Sequence, residues 1–400
     1  MPSNPSKAAA IVAAAEADEI GYLKSPKTDI MLGIEAISNV CREAGISPQE
    51  IQGIANPGGA NVYAEYLGIV PRWVDTTSVG GCSFQVQVAH MLAAINAGMI
   101  DIGVVVHGQA GWSRRNFPRG SVAAGGGDPL SADAQFVTPY GTGGAPSQYS
   151  HAMTRHMHEW GTTREDFARI AVSTREWATL NPRALMRTPE SNPGGGHITV
   201  DDVLNSRIIS WPLSLLDCCL VTDHGGAVIV ASEAAARGMR TRPVWIAGAG
   251  EASGHASMLD MRDFTATSAA VSSAQAYKMA GLGPRDMEMA MIYDSFTITV
   301  AITAEMLGLA RRGEGPTLFT DGKAAPGGTF PINTNGGGLS FNHSGMYGMQ
   351  LLIEAYRQLS GTAEDGVNGL PGKQTNAKVC VVNGTGGTLS ATGTLVLTAD

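Results

Sequence analysis

The sequence predicts an α/β fold built from two similar halves. Short apolar runs, typical of buried strands, alternate with longer amphipathic stretches, typical of helices. A similar run of residues recurs at 44–51 and 280–287, which indicates an internal duplication. Of the 400 residues, 44% are hydrophobic and 16% are charged, a composition that suits a large buried core.

Each predicted element follows from its own pattern. The apolar runs that predict strands are 8–15, 102–108, 226–232, 244–250, 289–295, 378–384 and 393–399. The amphipathic stretches that predict helices are 29–44, 83–97, 265–280, 297–309 and 345–359.

The repeated run gives the domain organisation. In both copies a glycine, Gly45 or Gly281, can end a helix, and a proline follows three residues later. We therefore predict halves at 1–233 and 243–400. The first half is longer because of an insertion at about 109–205, which is rich in Gly, Pro and Ser and has the character of binding loops or a lid.

Composition excludes several classes of protein. A net charge of -8 does not favour binding to nucleic acid. The five cysteines are odd in number and lack metal-ligand spacing, so we expect no disulfide framework and no metal site. The N-terminus resembles neither a signal peptide nor a membrane anchor, and no apolar run is long enough to span a bilayer. We expect a cytoplasmic protein that does not bind membranes.

Cys82 is the first candidate for chemistry. Two glycines precede it, and a helix with a small apolar face follows. A cysteine at a helix N-terminus is exposed to the positive end of the helix dipole, which favours the thiolate, and nearby backbone N–H groups can stabilise an oxyanion. The alternative for this residue is a buried structural cysteine.

Two further segments carry candidate acids and bases. A glycine-rich turn leads to His343 at the start of a predicted helix, where an imidazole can bind a thioester oxygen or accept a proton. Tyr293, Asp294 and Ser295 follow a predicted strand, at the end where α/β folds place working side chains. A helix-capping or solvent-exposed histidine is the alternative for His343, and helix capping is the alternative for Asp294 and Ser295.

Glycines and arginines provide candidate binding groups. The run Gly384, Thr385, Gly386 and Gly387 follows a predicted strand and can bring backbone N–H groups near a ligand, although a plain hairpin turn is the alternative. Arg114 and Arg115 could bind the phosphates of a cofactor such as coenzyme A, although a solvated loop face is the alternative.

Taken together, these segments resemble the thiolase superfamily, in its sterol-carrier-protein (SCP2-type) branch, over essentially the whole chain. The sequence GGCS resembles the nucleophile loop of that family and puts Cys82 at the nucleophile position. NHSGMYG resembles a diverged GHPxGASG motif, which puts His343 at the catalytic histidine. YDSF at 293–296 matches the HDCF motif of the branch, and NGTGG at 383–387 matches its C-terminal glycine loop.

The resemblance implies a fold and partners. The family fold has two βαβαβαββ halves in a five-layer αβαβα sandwich, with a loop domain from the first half over the CoA site. Its members act on acyl-CoA thioesters with coenzyme A as a substrate and no tightly bound cofactor. They form dimers or dimers of dimers, so we expect a homodimer. Relatives in this branch often bind a small partner with an OB-fold and a zinc ribbon, of the DUF35 type.

The chain departs from the family pattern at the second acid. Ser295 replaces the cysteine of HDCF, and the glycine loop lacks its CxG cysteine, since Cys380 comes too early. Tyr293 is similar to a tyrosine of the sterol side-chain aldolases of this branch, which use tyrosines and no nucleophilic cysteine. Tyr347 lies near the place of their second tyrosine, although His343 aligns closer to it.

Three functions remain open at this point. The first hypothesis is a 3-ketoacyl-CoA thiolase that forms an acyl-Cys82, with His343 near the enolate oxygen, Asp294 or water beside it, and an oxyanion site at Cys82 and 384–387. The second is a retro-aldol lyase that acts on a 3-hydroxyacyl-CoA through Tyr293, aided by Tyr347. The third is a non-catalytic acyl-CoA- or lipid-binding scaffold subunit.

Aromatic residues in the insertion would suit a bulky or aromatic acyl group, although aromatic side chains also pack loops. These residues are Trp112, Phe117, Phe136, Tyr140 and Tyr149.

Overall fold

The computed structural model describes residues 4–116, 130–142, 144–364, 366 and 371–399. The strands are β1 (Ala9–Glu16), β2 (Gly53–Ala55), β3 (Trp73–Asp75), β4 (Ile102–Ala110), β5 (Ile208–Ser210), β6 (Leu213–Ser214), β7 (Asp223–Ser232), β8 (Val244–Ser253), β9 (Met289–Ile292), β10 (Val379–Gly386) and β11 (Ala391–Thr398). The helices are α1 (Asp29–Ala44), α2 (Ala60–Leu67), α3 (Ser83–Asn96), α4 (Ser113–Asn116), α5 (Ala132–Phe136), α6 (Gly144–Trp160), α7 (Arg164–Leu180), α8 (Val200–Asn205), α9 (Glu233–Gly238), α10 (Ala269–Ala280), α11 (Thr297–Met306) and α12 (Gly348–Ser360).

Local sequence explains the boundaries of α1. The Thr28 side chain accepts a hydrogen bond from the Met31 N–H, which satisfies a backbone donor that the first turn leaves free. Gly45 adopts a φ of 76° and ends the helix in the left-handed conformation that a glycine tolerates. Gly281 ends α10 in the same way, with a φ of 67°.

The central sheet shows the duplication directly. Its strand order is β3-β2-β4-β7-β1-β8-β11-β10-β9, so the two halves meet where β1 pairs with β8. Outward from that seam each half repeats one pattern. The strand at the seam, β1 or β8, pairs antiparallel with its neighbour, and that neighbour pairs antiparallel with the next strand. The next strand then pairs parallel with the one beyond it. The parallel bridge between Ala290 and Ile332 stands where β3 pairs with β2 in the first half.

Helices cover both faces of each half-sheet. The equivalent helices α3 and α12 pack against each other and against strands of both halves, forming a shared central layer. Helix α1 covers the outer face of the first half-sheet, and α10 covers β8 and β11 of the second. The resulting αβαβα order agrees with the predicted five-layer architecture, and the α/β prediction is confirmed.

The insertion is more regular than its composition suggested. It contains two 17-residue helices, α6 and α7, where we predicted irregular loops. Helix α7 begins at a capping box between Thr163 and Asp166 and buries apolar residues at helical spacing, including Phe167, Ile170 and Ala171. The boundaries at 233 and 243 stay a prediction. Within the described residues, no helix combines the length and apolar character needed to cross a membrane.

Candidate active site

The N-termini of the two central helices meet at the candidate site. Cys82 takes the N-cap position of α3, and Tyr347 takes the N-cap position of α12. The backbones touch here, because a Cβ on Gly348 would overlap the carbonyl oxygen of Gly81. The Gln85 side chain locks the contact by donating a hydrogen bond to the Gly348 carbonyl (2.8 Å). The duplication therefore brings one helix start from each half together.

The Cys82 sulfur lies in a tightly packed turn. The residue is fully buried, and its Sγ–H donates to the Val79 carbonyl oxygen at 3.4 Å. Burial raises the pKa of the Cys82 thiol to about 12, which outweighs the lowering that the helix start was expected to give. The predicted position at a helix N-terminus is right, but the expected thiolate is not favoured in this environment.

The glycine run at 384–387 is strand rather than loop. Gly384, Thr385 and Gly386 belong to β10 and pair with β11, so only Gly387, with a φ of 60°, enters the turn that follows. The absence of side chains allows the strand to lie on the cysteine turn. A Cβ on Gly386 would overlap the Val79 carbonyl oxygen and would stand 2.9 Å from the Cys82 sulfur.

Tyr293 connects the two helix starts. Its ring packs on Gly81, where an added Cβ would overlap it, directly beside Cys82 in the chain. Its hydroxyl oxygen lies 3.1 Å from Nε2 of His343, accepts the Tyr347 N–H at 3.0 Å, and lies 3.5 Å from the Gly345 carbonyl oxygen. Because Tyr293 directly follows β9, the end of the strand places a phenol beside a histidine that precedes the helix of the same half.

Burial keeps both members of this pair uncharged at neutral pH. It lowers the pKa of His343 to about 4 and raises the pKa of Tyr293 well above its ordinary value. A neutral imidazole can accept a proton, and a neutral phenol can donate one. His343 lies a few residues before α12 rather than at its first turn, and the Thr222 hydroxyl accepts its backbone N–H at 2.9 Å.

Tyr347 enters the site through its backbone. Its hydroxyl is directed away and donates to Oδ1 of Asn335 at 2.8 Å, while its N–H binds Tyr293. Its ring packs edge-on against the Tyr293 ring, with centroids 5.6 Å apart. The sequence pointed to the Tyr347 phenol, but the structure uses the N–H. Asn335 and Thr222 were not singled out; Thr222 contacts a residue 121 positions away in the chain, and Asn335 contacts one 12 positions away.

Asp294 and Ser295 form hydrogen bonds to the backbone and side chains around the site. The Asp294 carboxylate accepts the backbone N–H groups of Gly338 (2.7 Å) and Leu339 (3.2 Å), so it does not take the place beside His343 for which we considered Asp294 or a water. Burial raises the pKa of Asp294 to about 7. The Ser295 hydroxyl pairs with the Thr299 hydroxyl of α11 at 3.0 Å, which is a contact within its own helix start.

The remaining predicted residues lie in or near the insertion. Arg114 forms an ion pair with Asp29, and Arg115 is exposed in α4. Their role at CoA phosphates stays a prediction.

Among the predicted aromatic residues, Tyr149 is buried, Trp112 stacks on Tyr22, Phe136 and Tyr140 are exposed, and Phe117 is outside the described residues. Within the described part of the chain, no cluster of His, Cys, Asp and Glu could hold a metal ion.

Known proteins are similar to this chain in sequence and in fold. A family model described as thiolase C-terminal domain-like matches residues 250–399. The 17-hydroxy-3-oxo-4-pregnene-20-carboxyl-CoA lyase of Mycobacterium tuberculosis is 31% identical over 364 residues, which cover 86% of this chain and 90% of the relative. The steroid side-chain-cleaving aldolase of Thermomonospora curvata is 32% identical over 390 residues, which cover 94% of each chain.

A solved structure agrees with these relatives. The Ltp2-ChsH2(DUF35) aldolase superposes with a TM-score of 0.85 at 29% sequence identity, and the match covers 99% of this chain and 98% of that chain. Two relatives above 30% identity, matched over most of the chain, show the family, and the nine-stranded sheet with its central helix pair has the corresponding fold. The chain therefore belongs to the thiolase superfamily, in its SCP2-type branch.

Proposed function

We propose that this protein is a lyase that cleaves a 3-hydroxyacyl-CoA by a retro-aldol reaction. This was the second of the three sequence-based hypotheses, and it now takes precedence over the 3-ketoacyl-CoA thiolase. The observation that carries it is the buried Tyr293–His343 pair, with 3.1 Å between the phenol oxygen and Nε2. An acid and a base held together in neutral form are what this reaction requires.

The reaction moves one proton and breaks one carbon–carbon bond. A base removes the proton of the 3-hydroxyl group, and C3 becomes a carbonyl as the C2–C3 bond breaks. The electron pair of that bond forms the enolate of the thioester. A proton then returns to C2, which gives an aldehyde or ketone and a shortened acyl-CoA. No free coenzyme A is consumed, in contrast to a thiolase.

The electrostatics of the pair suggest the roles. His343 takes the role of base, because burial lowers its pKa to about 4 and keeps the imidazole unprotonated at neutral pH. Tyr293 takes the role of acid, because burial raises its pKa and keeps the phenol protonated at neutral pH, while its oxygen accepts the Tyr347 N–H and so leaves the phenol proton for donation. A hydrogen bond between the two lets the proton taken by one replace the proton given by the other.

The surroundings of Cys82 favour this choice over thiolase chemistry. A thiolase needs a nucleophilic thiolate, whereas burial raises the pKa of this thiol to about 12 and its Sγ–H donates to Val79. Tyr293, rather than Cys82, is the hydrogen-bonding neighbour of the histidine. The names of the two full-length relatives, a lyase and an aldolase, also support the lyase.

The relatives further suggest the substrate and partner. Both carry steroid chemistry in their names, so we propose a bulky 3-hydroxyacyl-CoA, in line with the aromatic residues of the insertion. The aldolase of similar structure contains a DUF35 component, which supports a DUF35-type partner for this chain. A homodimer, cytoplasmic localisation, and CoA phosphate binding by Arg114 and Arg115 remain parts of the proposal.

The test incubates the full chain, alone and with a DUF35-type partner, with two 3-hydroxyacyl-CoA probes. We expect 17-hydroxy-3-oxo-4-pregnene-20-carboxyl-CoA to give a 17-ketone and propionyl-CoA, or 3-hydroxy-3-phenylpropionyl-CoA to give benzaldehyde and acetyl-CoA. Mass spectrometry detects both products, with no free coenzyme A added. The Cys82→Ala variant should keep its kcat within about threefold, because the thiol makes no step of the reaction.

Two outcomes oppose the proposal. Cleavage of a 3-ketoacyl-CoA that requires free coenzyme A, gives an acyl adduct on Cys82 and is lost in Cys82→Ala would restore the thiolase hypothesis. Binding of both probes without turnover, with or without the partner, would support the scaffold hypothesis.

A further inference from the structure

One face of β4, in the first half, contacts the backbone of the loop that carries His343, in the second half. His107 and Gln109 of β4, and Gly111 just after the strand, lie at alternate positions and each touch a different part of residues 344–346. We infer that His107 and Gln109 are positioning residues that fix the acid–base pair. The inference rests on the proposed function, since it concerns the groups assigned to that reaction.

Gln109 holds the part of the loop that surrounds the Tyr293 hydroxyl. Its Oε1 accepts the Met346 N–H at 2.9 Å. Its amide also packs on Gly345, where an added Cβ would lie 2.7 Å from Nε2. Gly345 has a φ of 130°, a conformation that side-chain-bearing residues rarely adopt.

The next atoms along the loop reach the reacting oxygen. The Gly345 carbonyl oxygen lies 3.5 Å from the Tyr293 hydroxyl, and the Tyr347 N–H donates to the same hydroxyl at 3.0 Å. Gln109 therefore fixes the segment that lies between two contacts to Tyr293. A shift of this segment would change the direction of the phenol proton.

His107 holds the residue that follows the catalytic imidazole. Its Nε2 lies 3.1 Å from the Ser344 hydroxyl, and its ring packs edge-on against Phe84. Burial lowers the pKa of His107 well below its ordinary value, so the contact joins two neutral groups. Gly111 allows the backbones to come close, because a Cβ there would overlap the Ser344 carbonyl oxygen.

The physical reason for such anchoring is the irregular backbone at 342–347. This segment lies between a helical turn at Gly337–Phe341 and the start of α12, so regular helix bonds do not fix it. A backbone bond from the Thr222 N–H to the His343 carbonyl oxygen (3.0 Å) restrains the start of the segment, and side chains restrain the residues that follow. Reaction geometry is sensitive to it, because a misplacement of about 1 Å can reduce a rate about 100-fold.

The experiment compares Gln109→Met with Gln109→Glu and Val106→Ala. Methionine keeps the side-chain length and removes the acceptor, whereas glutamate keeps an acceptor for the Met346 N–H. Val106 is a matched control, because it is a buried β4 residue that packs in the cluster containing α1 residues, on the opposite face. The readouts are kcat and KM for the 3-hydroxyacyl-CoA probe, and amide hydrogen exchange of the peptide covering 342–347.

We expect Gln109→Met to lower kcat about 10- to 100-fold, with KM within about threefold, because misplaced groups lose transition-state contacts more than binding. Exchange at 345–347 should accelerate. Gln109→Glu should recover most of kcat, and Val106→Ala should lose stability but neither kcat nor loop protection. His107→Leu should act like Gln109→Met, and His107→Gln should recover part of the loss.

The readouts separate this inference from the proposed function. If Gln109→Met and His107→Leu match Val106→Ala in kcat and in loop exchange, the positioning role is wrong although the lyase stands. If the wild type cleaves no 3-hydroxyacyl-CoA, the proposed function fails, and the exchange data alone decide the anchoring. Faster exchange in Gln109→Met but not in Val106→Ala upholds it, and equal exchange overturns it.

Discussion

The two central helices begin in the same way in each half of the molecule, yet they carry different chemistry. Cys82 and Tyr347 occupy the same N-cap position with similar backbone angles, a φ of -87° and a ψ of 0° against a φ of -98° and a ψ of -11°. The duplication therefore supplies two equivalent helix N-termini that face one another. The side chains and the backbone segments around them differ.

The start of α3 is surrounded by closely packed backbone, and the start of α12 is surrounded by groups that can exchange a proton. At Cys82, glycines of the turn and of β10 bring backbones together around a buried sulfur. At Tyr347, the backbone N–H, a phenol and an imidazole form a hydrogen-bonded group. The comparison teaches that a member of the family can keep a cysteine at the start of α3 while its candidate acid and base lie at the start of α12.

The largest effect should come from removing the phenol at the second helix start. We expect Tyr293→Phe to reduce lyase kcat about 100- to 10,000-fold, the range for a general acid or base. Tyr347→Phe is the matched control and should stay within about threefold, because its hydroxyl binds Asn335 away from the pair. Steady-state kinetics on the 3-hydroxyacyl-CoA probe decide it, and equal losses in both variants would contradict the assignment.

A smaller effect, on the free energy of unfolding, is expected at the start of α3. Gly386→Ala should destabilise the fold by about 1–3 kcal/mol or more, because its Cβ would meet the Val79 carbonyl and the Cys82 sulfur. Gly238→Ala is the control, since an added Cβ there meets no atom within 4 Å. Denaturant unfolding measures both variants. An unchanged midpoint for Gly386→Ala would show that this turn is looser than described.

The smallest effect concerns pH and the carboxylate beneath the second helix start. Burial raises the pKa of Asp294 to about 7, so between its ordinary value and that pH the folded state binds more protons than the unfolded state. Stability from this group therefore decreases as pH rises through that window. Asp294→Asn lacks this term. Thermal unfolding should show the variant gaining on the wild type by a few degrees from pH 5 to pH 7, and a constant difference would contradict it.

Local sequence was sufficient for most of the repeated core. Helix α1 matches the prediction at both ends, since Thr28 and Gly45 mark its boundaries, and the predicted apolar runs match seven strands of the central sheet within a few residues. The three-residue strands β2 and β3 are not among these apolar runs, because so few residues carry no usable periodicity. Helices α6 and α7 were missed because the surrounding Gly and Pro content obscured their apolar spacing.

By itself, the sequence determined the family, the duplication and the residue types at the site, because motifs, caps and apolar runs are local. Only the tertiary structure decided that Tyr293 pairs with His343, that Tyr347 contributes its N–H, and that Gln109 contacts Met346. These contacts join residues from about 50 to more than 200 positions apart. Local sequence patterns do not indicate contacts between residues so far apart in the chain. Burial, which sets the pKa values of the site, exists only once the two halves have packed.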